Sequence, residues 1–170
     1  MLMKSLGTVV YGCDPYPPKD WAKQNNITLL PINELLERSD IVSLHCPLTD
    51  QTRGLIGATE LASMKSSAIL VNTARGGIVD EQALVSALRE NRIAAAAVDV
   101  AQHEPPEVSS PLLGYRSPRL ILTPHIAWAS QAARQRLVTE IIENILAFQR
   151  GKPRNVIQPA ATGAPYRDER

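Results

Sequence analysis

Three polar islands, each closing a short apolar run, constrain this chain more than any other feature. They are Asn72-Thr-Ala-Arg-Gly-Gly77, Asp99-Val-Ala-Gln-His-Glu-Pro105 and Thr123-Pro-His-Ile-Ala-Trp128. The runs before them, Ala68-Ile-Leu-Val71, Ile93 to Val98 and Leu120-Ile-Leu122, read as buried strands. In an open parallel sheet, ligands collect outside the carboxyl ends of the strands. Successive strand ends would therefore bring Arg75, Glu104 and His125 to one crevice. A fixed cation, a carboxylate and an imidazole together can bind an anion and move one proton.

The rest of the chain supports that sheet. Strand-like and helix-like segments alternate, which predicts an α/β domain with a parallel sheet. Thr8 to Cys13 reads as a strand ending at Asp14, followed by a turn over Pro15 to Pro18. Trp21 to Asn25 is a short helix and Ile27 to Leu30 a short strand. Asn33 is a candidate N-cap for a helix carrying Leu35 and Leu36. Ile41 to His45 is the next strand, stopped by Pro47, and Ala58 to Lys65 is helical. Asp80 caps a helix from Glu81 to Glu90 whose Leu84, Val85 and Leu88 make one apolar stripe. Ala101 to Arg119 reads as irregular. A last helix spans Ser130 to Gln149, with Leu137, Ile141, Ile145 and Phe148 on one face and Gly151 as its stop. From Gln158 the chain is polar.

At 170 residues there is room for one domain with a sizeable core, and 44% hydrophobic content is ordinary for a globular protein. A formal charge of +1 gives no reason to expect a nucleic acid or a membrane surface as partner. Cys13 and Cys46 lack metal-ligand spacing and the density of a disulfide scaffold, so the expectation is two reduced thiols in a cytoplasmic protein and no metal. No apolar run approaches a membrane span.

The segments Val71-Asn-Thr-Ala-Arg-Gly-Gly-Ile-Val-Asp-Glu81, Asp99 through Pro105, and Pro124-His-Ile-Ala127 resemble those of the D-isomer-specific 2-hydroxyacid dehydrogenases. The likeness runs from about residue 1 to residue 157. It implies a Rossmann-type doubly wound sheet, an NAD cofactor, a homodimer, and interconversion of a small 2-hydroxy acid with its 2-keto acid. Thr-Pro-His-Ile-Ala-Trp-Ala-Ser130 and Gly-Lys-Pro-Arg-Asn155 look most like the glycerate dehydrogenase (hydroxypyruvate reductase) branch. Glu104 disfavours the formate dehydrogenase branch. No G-x-G-x-x-G turn occurs, so the expectation is the distal part of an NAD-binding domain over residues 1–157, with a polar tail over 158–170. Its sheet would lack the central first strand, and the chain alone would be inactive.

The resemblance gives each polar residue a role beside its plainer reading. Asp14 would bind the adenosine ribose and repel a 2′-phosphate, or would simply open the turn at Pro15. Arg75 would anchor a substrate carboxylate with paired donors, or lie exposed in a turn. His125 would be the acid/base group, with Glu104 orienting its ring. The plainer readings are a satisfied loop histidine and a solvated acid. Cys46, Pro47, Thr52, Thr73, Ala74, Asp99, Ala127 and Trp128 match positions lining the cofactor, and Trp128 could equally be a hydrophobic anchor. His45 reads as structural or as a lining residue near the adenine, and His103 matches a variable position. Two rival readings stay open. One is an NAD-gated dimeric binding protein, since the C-terminal-binding transcriptional corepressors resemble the same region. The other is a remnant with neither activity.

Overall fold

The computed structural model describes residues 2–17 and 19–157, and the polar end from Gln158 lies outside the described residues. The first compact unit, Met1–Ala127, carries every strand; the second is Trp128–Arg170. In chain order the elements are α1 (Leu2–Ser5), β1 (Tyr11–Gly12), α2 (Lys19–Gln24), β2 (Thr28–Leu29), α3 (Ile32–Arg38) and β3 (Ile41–Leu44). They continue with α4 (Ala58–Ser63), β4 (Ile69–Asn72), α5 (Glu81–Arg89), β5 (Ala95–Val98), α6 (Pro111–Gly114), β6 (Leu120–Leu122) and α7 (Gln131–Gln149).

All pairings are parallel, and they fall into two sheets: β1 with β2, and β3-β4-β5-β6 in that order. Among the described residues no ladder joins β1 to β3. A doubly wound sheet reads 3-2-1-4-5-6 from edge to edge. The β1-β2 pair and the sequential run β3-β4-β5-β6 share the all-parallel pairing of that fold.

The four-stranded sheet has one buried face. Val42 and Leu44, Leu70 and Asn72, and Ala96 and Val98 point inward at every second position, while Ile41, Ile69 and Ile121 stay exposed. Leu61 of α4 and Leu84, Val85 and Leu88 of α5 cover that face and are essentially inaccessible. The stripe on α5 therefore does what its helical spacing predicts. Each such side chain contributes about 1.5–3 kcal/mol by leaving water. The Asp80 carboxylate accepts the Ala83 N–H at 2.9 Å, which fixes where α5 begins.

Three expectations need correction. Asn33 lies inside α3, and Pro31 holds the cap position, where its fixed φ suits a helix entry. The stretch 101–119 is not wholly irregular: α6 forms after Ser110, with Pro111 in its first turn and Leu112 buried. Strands β1 and β2 are two residues each rather than the longer runs expected, and among the described residues each pairs only with the other.

In the second unit, Ser130 caps α7 by accepting the Ala133 N–H, and Gly151 takes a φ of +68° to end it. Arg154 then bonds back to Glu140 and Glu143, and Asn155 to Asn144. Leu137, Ile141, Ile145 and Phe148 are exposed along α7.

Candidate functional site

Asn72 closes β4 at an inward register position and is 1% exposed. Its amide satisfies itself locally, donating to the Arg75 carbonyl at 3.0 Å and accepting the Ala74 N–H at 3.1 Å. A buried polar side chain thus stitches the turn that carries Arg75. Arg75 is exposed, and its guanidinium donates to the Ala74 carbonyl at 2.7 Å.

The two glycines after it serve different needs. Gly77 has a φ of +78°, a region glycine enters without steric cost. At Gly76 the need is space. A Cβ there would sit 1.8 Å from the Ala101 carbonyl oxygen and 2.2 Å from its carbon. The protein's own backbone fills the place where a side chain would stand. The loop bearing Arg75 thereby lies directly on the loop leading to Glu104.

Strand β5 ends in Val98, and Asp99 follows, 5% exposed. One of its carboxylate oxygens accepts the Thr123 hydroxyl at 2.5 Å and the Ile126 N–H at 2.9 Å. The other accepts the Ala127 N–H at 2.9 Å. Its main-chain carbonyl takes the His125 N–H at 2.8 Å. His125 itself has a φ of +53°, a left-handed backbone uncommon outside glycine.

Glu104 meets His125 at 2.7 Å, Oε2 to Nδ1, with each side chain about two-fifths accessible. Its other oxygen accepts the Ala101 N–H at 3.0 Å. The hydrogen bond with His125 outweighs partial burial and, with the Ala101 N–H and the His125 charge, holds the Glu104 carboxyl below the usual carboxylate range. Asp99 behaves similarly for different reasons. Burial pushes its carboxyl up, but the bonds from Thr123, Ala127 and Ile126 win, and it too sits low. Both acids stay ionised at neutral pH.

Glu104 and His125 are therefore in contact, and Asp99 grips the backbone around His125. Arg75 lies at the neighbouring strand end. Thr73 is exposed and Ala74 half-buried in that same turn. Asp14 stands just past β1, exposed, with one oxygen accepting the Tyr16 N–H at 2.7 Å. That is the turn role of the plainer reading; a carboxylate can accept further bonds from a ribose at the same time. Cys46 and the exposed Pro47 follow β3. Thr52 ties their loop by donating to the Pro47 carbonyl at 2.6 Å and accepting the Thr49 N–H at 2.8 Å. Burial raises both thiols, and the Asp14 charge adds to the effect at Cys13, so neither is primed as a nucleophile. His45 meets the Ser43 hydroxyl at 2.9 Å, and His103 is exposed. Trp128 belongs to the second unit and is 53% exposed.

Sequence reasoning passed over both Thr123 and Glu81 as site residues. Glu81, the first residue of α5, accepts the Gln102 N–H at 2.6 Å and the Ser110 hydroxyl at 3.4 Å, so it braces the Glu104 loop. Their signal was available: an acid directly after a capping Asp, and a hydroxyl at the end of an apolar strand. No group of His, Cys, Asp and Glu among the described residues could hold a metal ion.

Residues 1–127 match the family described as D-isomer specific 2-hydroxyacid dehydrogenase, NAD binding domain. Over 155 residues the chain is 43% identical to the glycerate dehydrogenase of Methylorubrum extorquens, covering 91% of this chain and 47% of that one. The crystal structure of a D-lactate dehydrogenase from Treponema pallidum superposes with a TM-score of 0.81 at 36% identity, covering 91% of this chain and 49% of that one. The NAD complex of the Lactobacillus delbrueckii ssp. bulgaricus D-isomer specific 2-hydroxyacid dehydrogenase gives 0.79 at 30% identity, covering 91% and 50%. The chain thus spans about half the length of the relatives it matches. Matched in sequence and in fold, and with the histidine–acid pair seated on adjacent strand ends, this chain belongs to the D-isomer-specific 2-hydroxyacid dehydrogenases, on the fold of their NAD-binding domain.

Proposed function

We propose that this chain forms the catalytic strand ends of an NAD-dependent oxidoreductase acting on a small 2-hydroxy or 2-keto acid of the glycerate and hydroxypyruvate type. The observation that carries the reading is the contact of His125 Nδ1 with Glu104 Oε2 at 2.7 Å. With Nδ1 held by the acid, the proton that His125 exchanges with substrate is the one on Nε2. Glu104 keeps the ring's orientation through that same bond. Arg75 swings from the Ala74 carbonyl to a substrate carboxylate, where its planar fork offers two donors that a lysine cannot match. Asp14 would take the adenosine ribose, and Cys46, Pro47, Thr52, Thr73, Ala74, Ala127 and Trp128 would line the cofactor. Bound nicotinamide supplies or accepts the hydride.

The same reading places the enzyme in the cytoplasm as a homodimer. No helix among the described residues is long and apolar enough to cross a membrane. The domain would run over residues 1–157. These 170 residues alone should bind NAD weakly, because no G-x-G-x-x-G turn is present to offer N–H groups to the pyrophosphate. Isothermal titration with NADH checks that point, and micromolar binding by a monomer would refute it.

The decisive experiment joins the chain to the part of the Methylorubrum extorquens relative that it does not match and assays a panel of 2-keto acids. NADH-linked reduction of hydroxypyruvate or glyoxylate is expected, with NADH preferred over NADPH. His125→Ala should lower turnover by ~10²–10⁴-fold while sparing NADH binding. No nicotinamide oxidation with any acid would defeat the enzyme reading and favour a binding protein.

A further inference from the structure

We propose that Asp99 is the positioning residue for His125: it holds the left-handed backbone turn that aims the imidazole at Glu104. Four contacts carry this inference. The Asp99 carboxylate takes the Thr123 hydroxyl before the histidine and the Ile126 and Ala127 N–H groups after it, while the Asp99 carbonyl takes the N–H of His125 itself. Hydrogen bonds from both sides of one residue fix its φ and ψ more firmly than a bond to its side chain could. The residue so fixed has a φ of +53°, a conformation that persists only where its surroundings impose it. A left-handed residue projects its side chain in a direction that an extended or helical one does not reach. Relaxation of the turn would therefore swing the ring away from Glu104.

The grip also has the right chemistry. Asp99 is 5% exposed, and a buried carboxylate persists only when its oxygens are occupied. Here the occupying groups are the turn. Neither oxygen needs a ligand to be satisfied, so the turn is set before any substrate arrives.

The catalytic consequence rests on the acid/base reading of His125, but the positioning can be measured without substrate or cofactor. In the isotope-labelled chain, Asp99→Asn keeps the shape and presents an amide to the Ala127 N–H in place of an acceptor. The Ala127 amide resonance should lose its hydrogen-bonded shift. The Glu104 carboxyl, followed by carbon NMR, should move up toward the ordinary glutamate range because His125 has left it. A folded Asp99→Asn chain with the Glu104 midpoint unmoved overturns the proposal and leaves Asp99 as a structural anchor. If that variant does not fold, Glu104→Gln serves instead. There the His125 ring resonances should still shift at the Asp99 midpoint as the pH is lowered, and a ring indifferent to Asp99 overturns the proposal equally. Absence of dehydrogenase activity would defeat the proposed reaction while leaving these results intact.

Discussion

Strands β3 to β6 send alternate residues into a core shared with α4 and α5, whereas β1 and β2 offer two residues apiece and bury none of them fully. Among the described residues before Pro31, only Ala22 is essentially inaccessible. Both regions obey the same parallel pairing rule. The difference lies in partners: each inner strand of the larger sheet has a neighbour on either side and helices over one face, while β1 has one neighbour. A strand is stabilised by what surrounds it more than by its own composition. The motifs proposed as catalytic follow the four-stranded half, and Asp14 follows the sparse one. The part of the site proposed to handle substrate thus stands on buried strands, and the part proposed for the ribose on strands that bury no residue fully.

The sharpest way to break this comparison is a matched pair of truncations. Leu88→Ala, in the core, should cost about 2–5 kcal/mol. Val9→Ala, 75% exposed beside β1, should stay within about 0.5 kcal/mol. Urea unfolding of the two variants decides the matter, and equal losses would show that both regions share one core.

Gly76→Ala comes next, at about 1–3 kcal/mol, since its Cβ must displace the Ala101 backbone. The same substitution at Gly114, where a Cβ meets nothing within 4 Å, serves as control and should be near neutral. Asp80→Ala should remove about 1 kcal/mol from thermal stability through loss of the α5 cap.

The smallest effect concerns pH. The folded-state values of Glu104 and Asp99 are depressed, so both stabilise the fold above their unfolded values, roughly 4.3 and 3.9. That stabilisation should fade as the pH falls through the lower folded values. Asp99→Asn and Glu104→Gln should each flatten the acid limb of a stability profile; a profile unchanged by both would remove the coupling.

Much of the larger sheet was legible because its strands are short apolar runs with period-two burial and its longest buried helix has a capping Asp. Even β5, whose Ala95 to Ala97 are weak strand formers, could be placed from the apolar residues bracketing it. The contact of Glu104 with His125 was foreseeable from adjacent strand ends. What stayed hidden depended on tertiary closeness. Nothing in the sequence says that Gly76 lies under Ala101, or that Glu81 braces a loop some twenty residues on. The short helix α6 was missed although Ser110 and Pro111 announce a helix start, because the surrounding prolines and serines masked a single turn. The lengths of β1 and β2 were overestimated because apolar content was read without asking what would pair with it.

The contact at Gly76 has a mechanical side. With no side chain between them, the Arg75 loop and the Ala101 loop bear on each other like two links sharing a pin. Neither can move toward the other, so the spacing between the turn that bears arginine and the loop that leads to glutamate, almost thirty positions apart in the chain, has a floor set by bare backbone.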